Sequence, residues 1–295
     1  MVSFLNYFIN GLSLGSIYAI IAIGYTMVYG IAKMLNFAHG DIIMVGAYIA
    51  FSVTTTAKLP PAVSVLAAIC GCMLLGICIE KIAYKPLRHA GSSLAVLITA
   101  IGVSYFLQNV ALLIFSSNPK MFTPIIPMKM MTIKLGAFRI QTISLVSIVV
   151  GIVLVLLLQL FINHTRPGQA MLACAQDRGA ASLMGISVNG TISLTFAIGS
   201  AMAGIAGVLL CSAYPTLSPY TGAMPGIQAF VAAVFGGIGS IPGAMIGGLL
   251  LGIIEILSKT YISSQLSDAI VFAVLIIVLL VKPTGLMGRK IQEKV

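Results

Sequence analysis

The sequence predicts an all-α membrane protein, a polytopic bundle of about eight transmembrane helices, some of them broken or re-entrant. Of its 295 residues, 59% are apolar and only 7% are charged, whereas about 25% of the residues in a soluble domain are charged. Apolar runs long enough to cross a bilayer as helices recur along the chain. Because these runs are too long and too uniform for alternating barrel strands, we expect helices.

Nine apolar runs define the expected elements. The runs at 42–57 and 226–238 are short and flanked by glycine, proline and polar residues, so we expect tilted, broken or re-entrant helices there. The whole chain, 1–295, is expected to form a single transmembrane domain. The runs are 7–31, 42–57, 61–80, 93–115, 142–162, 190–211, 226–238, 241–258 and 266–281.

Lysine and arginine residues near the ends of the runs predict the orientation. The connections 80–91 and 163–189 and the tail after residue 281 should be cytoplasmic. The loop 116–141 is then external, and its alternation around a glycine predicts a small β-hairpin. Its basic residues are either solvated or face an acidic partner, and they are Lys120, Lys129, Lys134 and Arg139. The net charge of +10 follows from this topology, so no nucleic-acid partner is implied.

The segment 163–189 is polar and rich in alanine, unlike the rest of the chain. A helix should begin at Thr165, with Pro167 in its first turn, and pause at Gly185. The segment offers no obvious reaction chemistry, so we expect a cytoplasmic helix that docks on a soluble partner. The alternative is an ordinary amphipathic loop helix. Its charged residues are Arg166, Asp177 and Arg178.

Two interruptions of the apolar pattern, at 33–41 and 215–226, occupy comparable places in the two halves of the chain. Paired interruptions are the best sequence indication of a transport site and suggest a weak internal duplication. The first interruption holds Asn36, His39 and Asp41. Either these residues line a pore, or Asp41 opens the next helix and His39 is a hydrogen-bonded structural residue.

Polar side chains inside the apolar runs are few. Gln108 lies within one run and Gln228 follows the second interruption, so we add both to the candidate translocation path. Glu255 and Lys259 have the spacing of an ion pair near a helix end. Glu255 and Asp268 lie near the ends of their runs, where we expect the membrane interface. A proton-coupled carrier would place such groups at mid-membrane, so this pattern argues against one.

Several chemistries find no support in the sequence. No Gly-x4-Gly-Lys-Ser/Thr phosphate-binding loop occurs, so any ATP hydrolysis belongs to another protein. No nucleophile–base pattern is present, and one histidine with one aspartate is too small a ligand set for a metal. The five cysteines are expected to be reduced thiols. We therefore predict no enzyme activity, no cofactor and no metal site.

Residues 10–30 and 35–48, then 175–186, then 234–248 carry three motifs in a characteristic order. Together they closely resemble the LivH-type permease subunits of branched-chain amino acid ABC importers. The stretch 175–186 looks like the cytoplasmic coupling segment of that family, and 234–248 matches its late glycine-rich segment. The likeness covers about 10–285, nearly the whole chain.

The resemblance implies a permease of the bacterial inner membrane, embedded in lipid, that imports leucine, isoleucine or valine. It also implies a second related permease, two cytoplasmic ATP-binding subunits and an external substrate-binding protein. The stretch 179–185 is similar to the importer motif Glu-Ala-Ala-x3-Gly, with Gly179 in place of the glutamate. The ATPase-coupling residues implied by this match are Asp177, Arg178, Ala180, Ala181 and Gly185.

Other cargoes and mechanisms stay open at this point. Members of the wider group move urea, short amides or other amino acids, and the sequence excludes none of these. A lone carrier driven by an ion gradient is disfavoured by the scarcity of mid-membrane charge. A passive channel for a small solute fits the glycine-rich interruptions but leaves the polar segment without a role.

Overall fold

The computed structural model describes residues 2–89, 93–123, 132–135 and 138–288. A π-helical turn, Glu80–Tyr84, is followed by a 3-10 turn, Pro86–His89. The α-helices are α1 (Val2–Ala32), α2 (His39–Thr55), α3 (Pro61–Ile79), α4 (Ser93–Phe115), α5 (Thr142–His164), α6 (Arg166–Gln176), α7 (Arg178–Leu183), α8 (Val188–Ala213), α9 (Ala223–Gly236), α10 (Ile241–Tyr261) and α11 (Ser267–Val281). The strands are β1 (Lys120–Met121), β2 (Thr132–Leu135), β3 (Phe138–Gln141) and β4 (Thr216–Leu217).

Six helices of the described part are long and apolar enough to cross a membrane, and two shorter apolar helices, α9 and α11, accompany them. This confirms the predicted all-α polytopic bundle and agrees with about eight spans. Helices α2 and α9 are only 17 and 14 residues long, in accord with the short elements predicted there. The long spans are Phe4–Ala32, Pro61–Tyr84, Leu94–Phe115, Thr142–His164, Val188–Ala213 and Ile241–Tyr261.

Helix α1 forms the centre of the bundle and packs against α5, α8, α9 and α10. Within its most apolar stretch 89% of the residues are buried, compared with 22% for α4. Small residues let α1 and α10 touch backbone to backbone: a Cβ atom at Gly15 would lie 2.7 Å from the carbonyl oxygen of Leu249. Because lipid gives helices no hydrophobic reason to associate, this close packing is what stabilises the centre.

The bundle has two distinct ends. At the hairpin end, β2 pairs antiparallel with β3, with Thr132 opposite Gln141, which confirms the predicted β-hairpin. Strands β1 and β4 pair at the same end. At the opposite end, which we call the polar-segment end, α6 packs beside α5, α1 and α8. Lys129 and residues 289–295, part of the predicted charge pattern, lie outside the described residues.

Candidate functional site

The polar segment folds as two short helices, which corrects the single helix that the sequence predicts. Thr165 does cap α6, accepting a hydrogen bond from the amide of Gly168 at 3.2 Å. Asp177 then interrupts the helix with an extended backbone. Its Oδ1 accepts hydrogen bonds from the amides of Gly179 and Ala180 at 2.8 and 3.0 Å. The aspartate therefore satisfies the first amides of α7 instead of continuing α6.

Helix α7 is attached to the bundle at a few points. The guanidinium of Arg178 donates to the carbonyl oxygen of Ile31, in the last turn of α1, at 2.8 Å. Ala181 is buried and Ala180 is exposed. Gly185 follows α7 with a φ of +82°, in the left-handed region that favours glycine. The motif residues therefore divide into a side facing the bundle and a side facing solvent.

The tip of α7 consists of two apolar side chains that the sequence analysis did not single out. Leu183 and Met184 are 90% and 83% exposed, directly before Gly185. A single exposed leucine is ordinary on a protein. Two adjacent exposed apolar side chains at the end of a polar segment, however, suit contact with a protein surface. The sequence signal that could have identified these two residues is an apolar pair directly before a glycine in an otherwise polar stretch.

A buried charge network joins the end of α3 to the start of α8. Glu80 begins the π-helical turn, is fully buried and forms an ion pair with Arg88. The hydroxyl of Ser193 donates to the other oxygen of Glu80, and Arg88 also donates to Asn189 at 2.6 Å. The pKa of the Arg88 guanidinium lies below its usual value, mainly because the side chain is buried. The Glu80 carboxylate opposes this shift, and nearby Arg178 adds to it. Sequence reasoning missed Glu80, because the π-helical turn that it begins is visible only in the structure. Such turns often occur at functional sites.

The two interruptions found in the sequence meet inside the bundle. Helix α2 begins at His39 and α9 at Ala223. A Cβ atom at Gly40 would lie 2.6 Å from the carbonyl oxygen of Gly222, so only glycine allows this approach. The amino ends of two helices, which carry unpaired amides and partial positive charge, therefore come together at one place.

A cavity of about 570 Å³ lies beside this meeting point, between α2, α4 and α9, and we call it the inner cavity. Asp41, in the first turn of α2, and Gln108 of α4 both line it. The Nε2 of Gln108 donates to Oδ1 of Asp41 at 2.9 Å. This pair is set in a mostly aromatic and aliphatic wall formed by Tyr25, Phe37, Leu97, Ile101, Tyr105, Tyr220 and Ile227.

Two other predicted path residues do not line the inner cavity. Asn36 accepts a hydrogen bond from the hydroxyl of Tyr84 at 2.8 Å. The ring of His39 is buried against Tyr25, with ring centroids 4.6 Å apart. Both contacts hold the first interruption in place, so the geometry favours a structural role for this pair.

Gln228 lies elsewhere, in a polar cluster shared by α1, α9, α10 and α11. The hydroxyl of Tyr18 donates to Gln228, whose Nε2 donates to Oδ1 of Asp268 at 2.9 Å. The predicted ion pair between Glu255 and Lys259 is formed close by. Glu255 is only 2% exposed, so its side chain is buried within the bundle.

No group of three or more histidine, cysteine, aspartate or glutamate side chains is placed to hold a metal ion in the described ranges. The five cysteines are free thiols. What the arrangement provides is an exposed apolar tip on α7, a buried charge network near the start of α8 and cavities inside the bundle.

Comparison with known proteins agrees with this architecture. Residues 7–279 match the family described as "Branched-chain amino acid transport system / permease component". The chain belongs to this family. The high-affinity branched-chain amino acid transport system permease protein LivH of Salmonella typhimurium is 46% identical over 99% of this chain and 98% of its own length. BraD of Pseudomonas aeruginosa, a permease protein of the same description, is 44% identical over the same shares.

Membership of the permease family makes this chain a multi-pass membrane component of a transport system and not an enzyme. A solved structure, PsaBC from Streptococcus pneumoniae in complex with Fab, aligns with a TM-score of 0.51 over 93% of this chain and 91% of that one. The sequence identity is 16%, so the likeness concerns the fold alone.

Proposed function

We propose that this permease imports leucine, isoleucine and valine across the bacterial inner membrane, driven by ATP that separate subunits hydrolyse. The cargo is supported by relatives that are named as permeases of high-affinity branched-chain amino acid transport systems and that align along nearly their whole length. In this proposal residues 1–295 form one permease domain. The loop 116–141 is external and the segment 163–189 is cytoplasmic, as the basic residues predict.

The observation that carries the ATP-driven mechanism is the exposed tip of α7. Leu183 and Met184 present apolar surface at the end of a short helix that Asp177 caps and Arg178 anchors. Since the chain has no phosphate-binding loop, a docking tip at this position fits a soluble ATPase. Two cytoplasmic ATP-binding subunits would bind, one to this chain and one to a second, related permease.

Movement of α7 has a physical route to the inner cavity. Arg178 ties α7 to Ile31, and the chain leads from there directly into the interruption at 33–41 and to Asp41. A displaced α7 therefore pulls on the end of α1 and on the interruption that leads to Asp41 at the cavity wall, a movement of the kind that alternating access requires.

The inner cavity suits an aliphatic amino acid. Its aromatic and aliphatic wall matches a branched side chain, and Asp41 can accept hydrogen bonds from an ammonium group. The α4 side of the cavity carries Tyr105, an exposed side chain, and this side is where a second permease would complete the path. An external binding protein docked at the hairpin end would deliver the cargo.

The partners are tested by affinity purification of the tagged full-length chain from its native membrane. We expect two ATPase subunits and a second permease to co-purify. Recovery of the chain alone, under conditions that retain other membrane complexes, would contradict the importer mechanism and favour a carrier or a passive channel.

The cargo is tested separately by competition against labelled leucine in ATP-loaded proteoliposomes that hold the purified complex and its binding protein. Excess isoleucine and valine should abolish the uptake, whereas urea and acetamide should leave it unchanged. Strong competition by urea or by a short amide, with weak competition by valine, would move the assignment to those solutes.

A further inference from the structure

A second cavity, of about 290 Å³, lies between α1, α8, α9, α10 and α11 near the hairpin end. We call it the outer cavity. Tyr214 and Thr216 form part of its rim, and Thr216 belongs to β4, which pairs with β1 at that end. The volume is close to the lower limit of about 300 Å³ for small-molecule sites, so it suits a ligand with few heavy atoms.

The outer cavity has an excess of negative charge. Glu255 and Asp268 line it, and Lys259 is the one cation among the described residues of its lining. Lys259 pairs with one oxygen of Glu255, while the other oxygen, Oε2, is buried and has no hydrogen-bond partner among the described residues. Asp268 accepts one hydrogen bond from Gln228. Two carboxylates against one ammonium leave the cavity ready to accept a further cationic donor.

Helix packing alone accounts poorly for this cluster. An ion pair between Glu255 and Lys259 within α10 does not require a second carboxylate from α11 or a buried amide from α9. Ionisable groups inside a membrane bundle are costly and generally face a partner or a pathway. Here they face a cavity that also has an apolar side, formed by Leu14, Leu210 and Met224.

We propose that the outer cavity binds the primary ammonium group of an aliphatic amino acid arriving from the hairpin end. Glu255 and Asp268 accept hydrogen bonds from the ammonium, and the side chain of the ligand packs against Leu14, Leu210 and Met224. The assignment of an amino acid as ligand rests on the proposed function. The outer cavity is then the first of two sites in series, and the inner cavity is the second.

The test is ligand binding to the full-length chain with its co-purified partners in lipid nanodiscs, without nucleotide or binding protein. Saturation-transfer NMR detects the methyl groups of weakly bound ligands. The probes are leucine, leucinamide, which keeps the ammonium but lacks the carboxylate, and 4-methylpentanoate, which lacks the ammonium. We expect leucine and leucinamide to bind, and 4-methylpentanoate to bind about tenfold more weakly, because it cannot donate charge-assisted hydrogen bonds.

Variants place this binding at the outer cavity. Asp268→Asn removes the charge but keeps an acceptor for Gln228, and it should weaken leucinamide binding about tenfold. The double variant Glu255→Gln/Lys259→Met removes the ion pair as a unit and leaves no unpaired buried charge, so it guards against misfolding. It should weaken binding in the same direction. Lys81→Met, which also changes the charge by one unit but at an exposed position outside the lining of the outer cavity, is the control and should bind normally.

Binding at the inner cavity is separated by repeating the series in an Asp41→Asn background, where the effect of Asp268→Asn must persist. Equal binding of 4-methylpentanoate and leucinamide, or unchanged binding in both outer-cavity variants, would overturn the inference. If leucine uptake were intact, that result would rule out binding at the outer cavity and leave the proposed function unaffected. Conversely, a complex that transports no branched-chain amino acid would refute the proposed function, while ammonium binding that depends on Asp268 would still stand.

Discussion

The contact between α1 and α10 and the short helix α7 are built in opposite ways. In the first, backbones touch: a Cβ atom at Gly15 would lie 2.7 Å from the carbonyl oxygen of Leu249. In the second, Arg178 provides a single hydrogen bond to Ile31, and the tip residue Leu183 is 90% exposed. The difference separates a scaffold, which tolerates no added volume, from a loosely attached helix, which is the element we expect to contact the ATPase.

The largest effect is expected from added volume in the scaffold. Gly15→Leu places a side chain against the backbone of Leu249, and because backbone cannot step aside, α1 and α10 must separate. Overpacking of this kind typically costs about 1–3 kcal/mol and sometimes more. Size-exclusion chromatography of the solubilised, fluorescently tagged variant should show little monodisperse protein.

The matched control for this scaffold prediction is Gly102→Leu. A Cβ atom at Gly102 on α4 would meet no atom of the described residues within 4 Å beyond its own stretch of helix, so this variant should give the yield of the unmodified chain. Similar yields for Gly15→Leu and Gly102→Leu would show that the centre of the bundle is less tightly packed than described.

The next effect concerns the exposed tip. Leu183→Asp places a charge where apolar contact with the ATPase is expected, and it should reduce ATPase co-purification about tenfold or more, as for an interface hot spot. The permease itself should fold normally, because Leu183 is exposed. Quantitative mass spectrometry of the purified complex measures the loss. Leu183→Met should retain the ATPases, and full retention by Leu183→Asp would place the docking surface elsewhere.

A smaller effect is expected where α7 is anchored to α1. Arg178→Met removes the hydrogen bond to Ile31, a charged interaction of a kind worth about 1.5–3 kcal/mol. ATPases should still bind and hydrolyse ATP, but the amount of leucine imported per ATP should fall several-fold. Arg166→Met, which removes the same charge from an exposed position in α6, should import normally. If Arg178→Met imported as much leucine per ATP as the unmodified chain, movement of α7 would have to reach the inner cavity by another route.

The smallest effect is expected in the inner cavity. Asp41→Asn keeps an acceptor for Gln108 and removes only the charge, so leucine uptake should fall a few-fold while ATP hydrolysis stays normal. Asp41→Leu should be worse, because it leaves the buried amide of Gln108 unpaired at a cost of about 1–3 kcal/mol. Initial rates of uptake in proteoliposomes check both. Uptake by Asp41→Asn at the rate of the unmodified chain would deny the Asp41 charge a role in contacting cargo.

Local sequence signals predicted much of the scaffold. Run length and composition predicted the membrane-spanning helix bundle, and Thr165 with Pro167 predicted the start of α6. The alternation in the loop 116–141 predicted the pairing of β2 with β3. These features depend on residues close together in the chain, whose spacing and chemistry are visible in the sequence.

Contacts between distant residues account for what sequence reasoning missed. Ser193 and Glu80 are 113 positions apart, and Gly40 meets Gly222 only because two interruptions fold into one place. The break at Asp177 was missed for a different reason. An aspartate inside an alanine-rich helix is ordinary, and only its extended backbone and its two accepted hydrogen bonds reveal the cap.

The central claim, that an ATP-driven α7 moves cargo through this bundle, is tested most directly by accumulation. The purified complex in proteoliposomes, supplied with binding protein and with ATP on the side of the polar segment, should concentrate labelled leucine above its external level. Leu183→Asp should abolish this accumulation. Leucine that merely equilibrates across the membrane, equally fast in both directions and without ATP, would contradict the account and identify a passive channel.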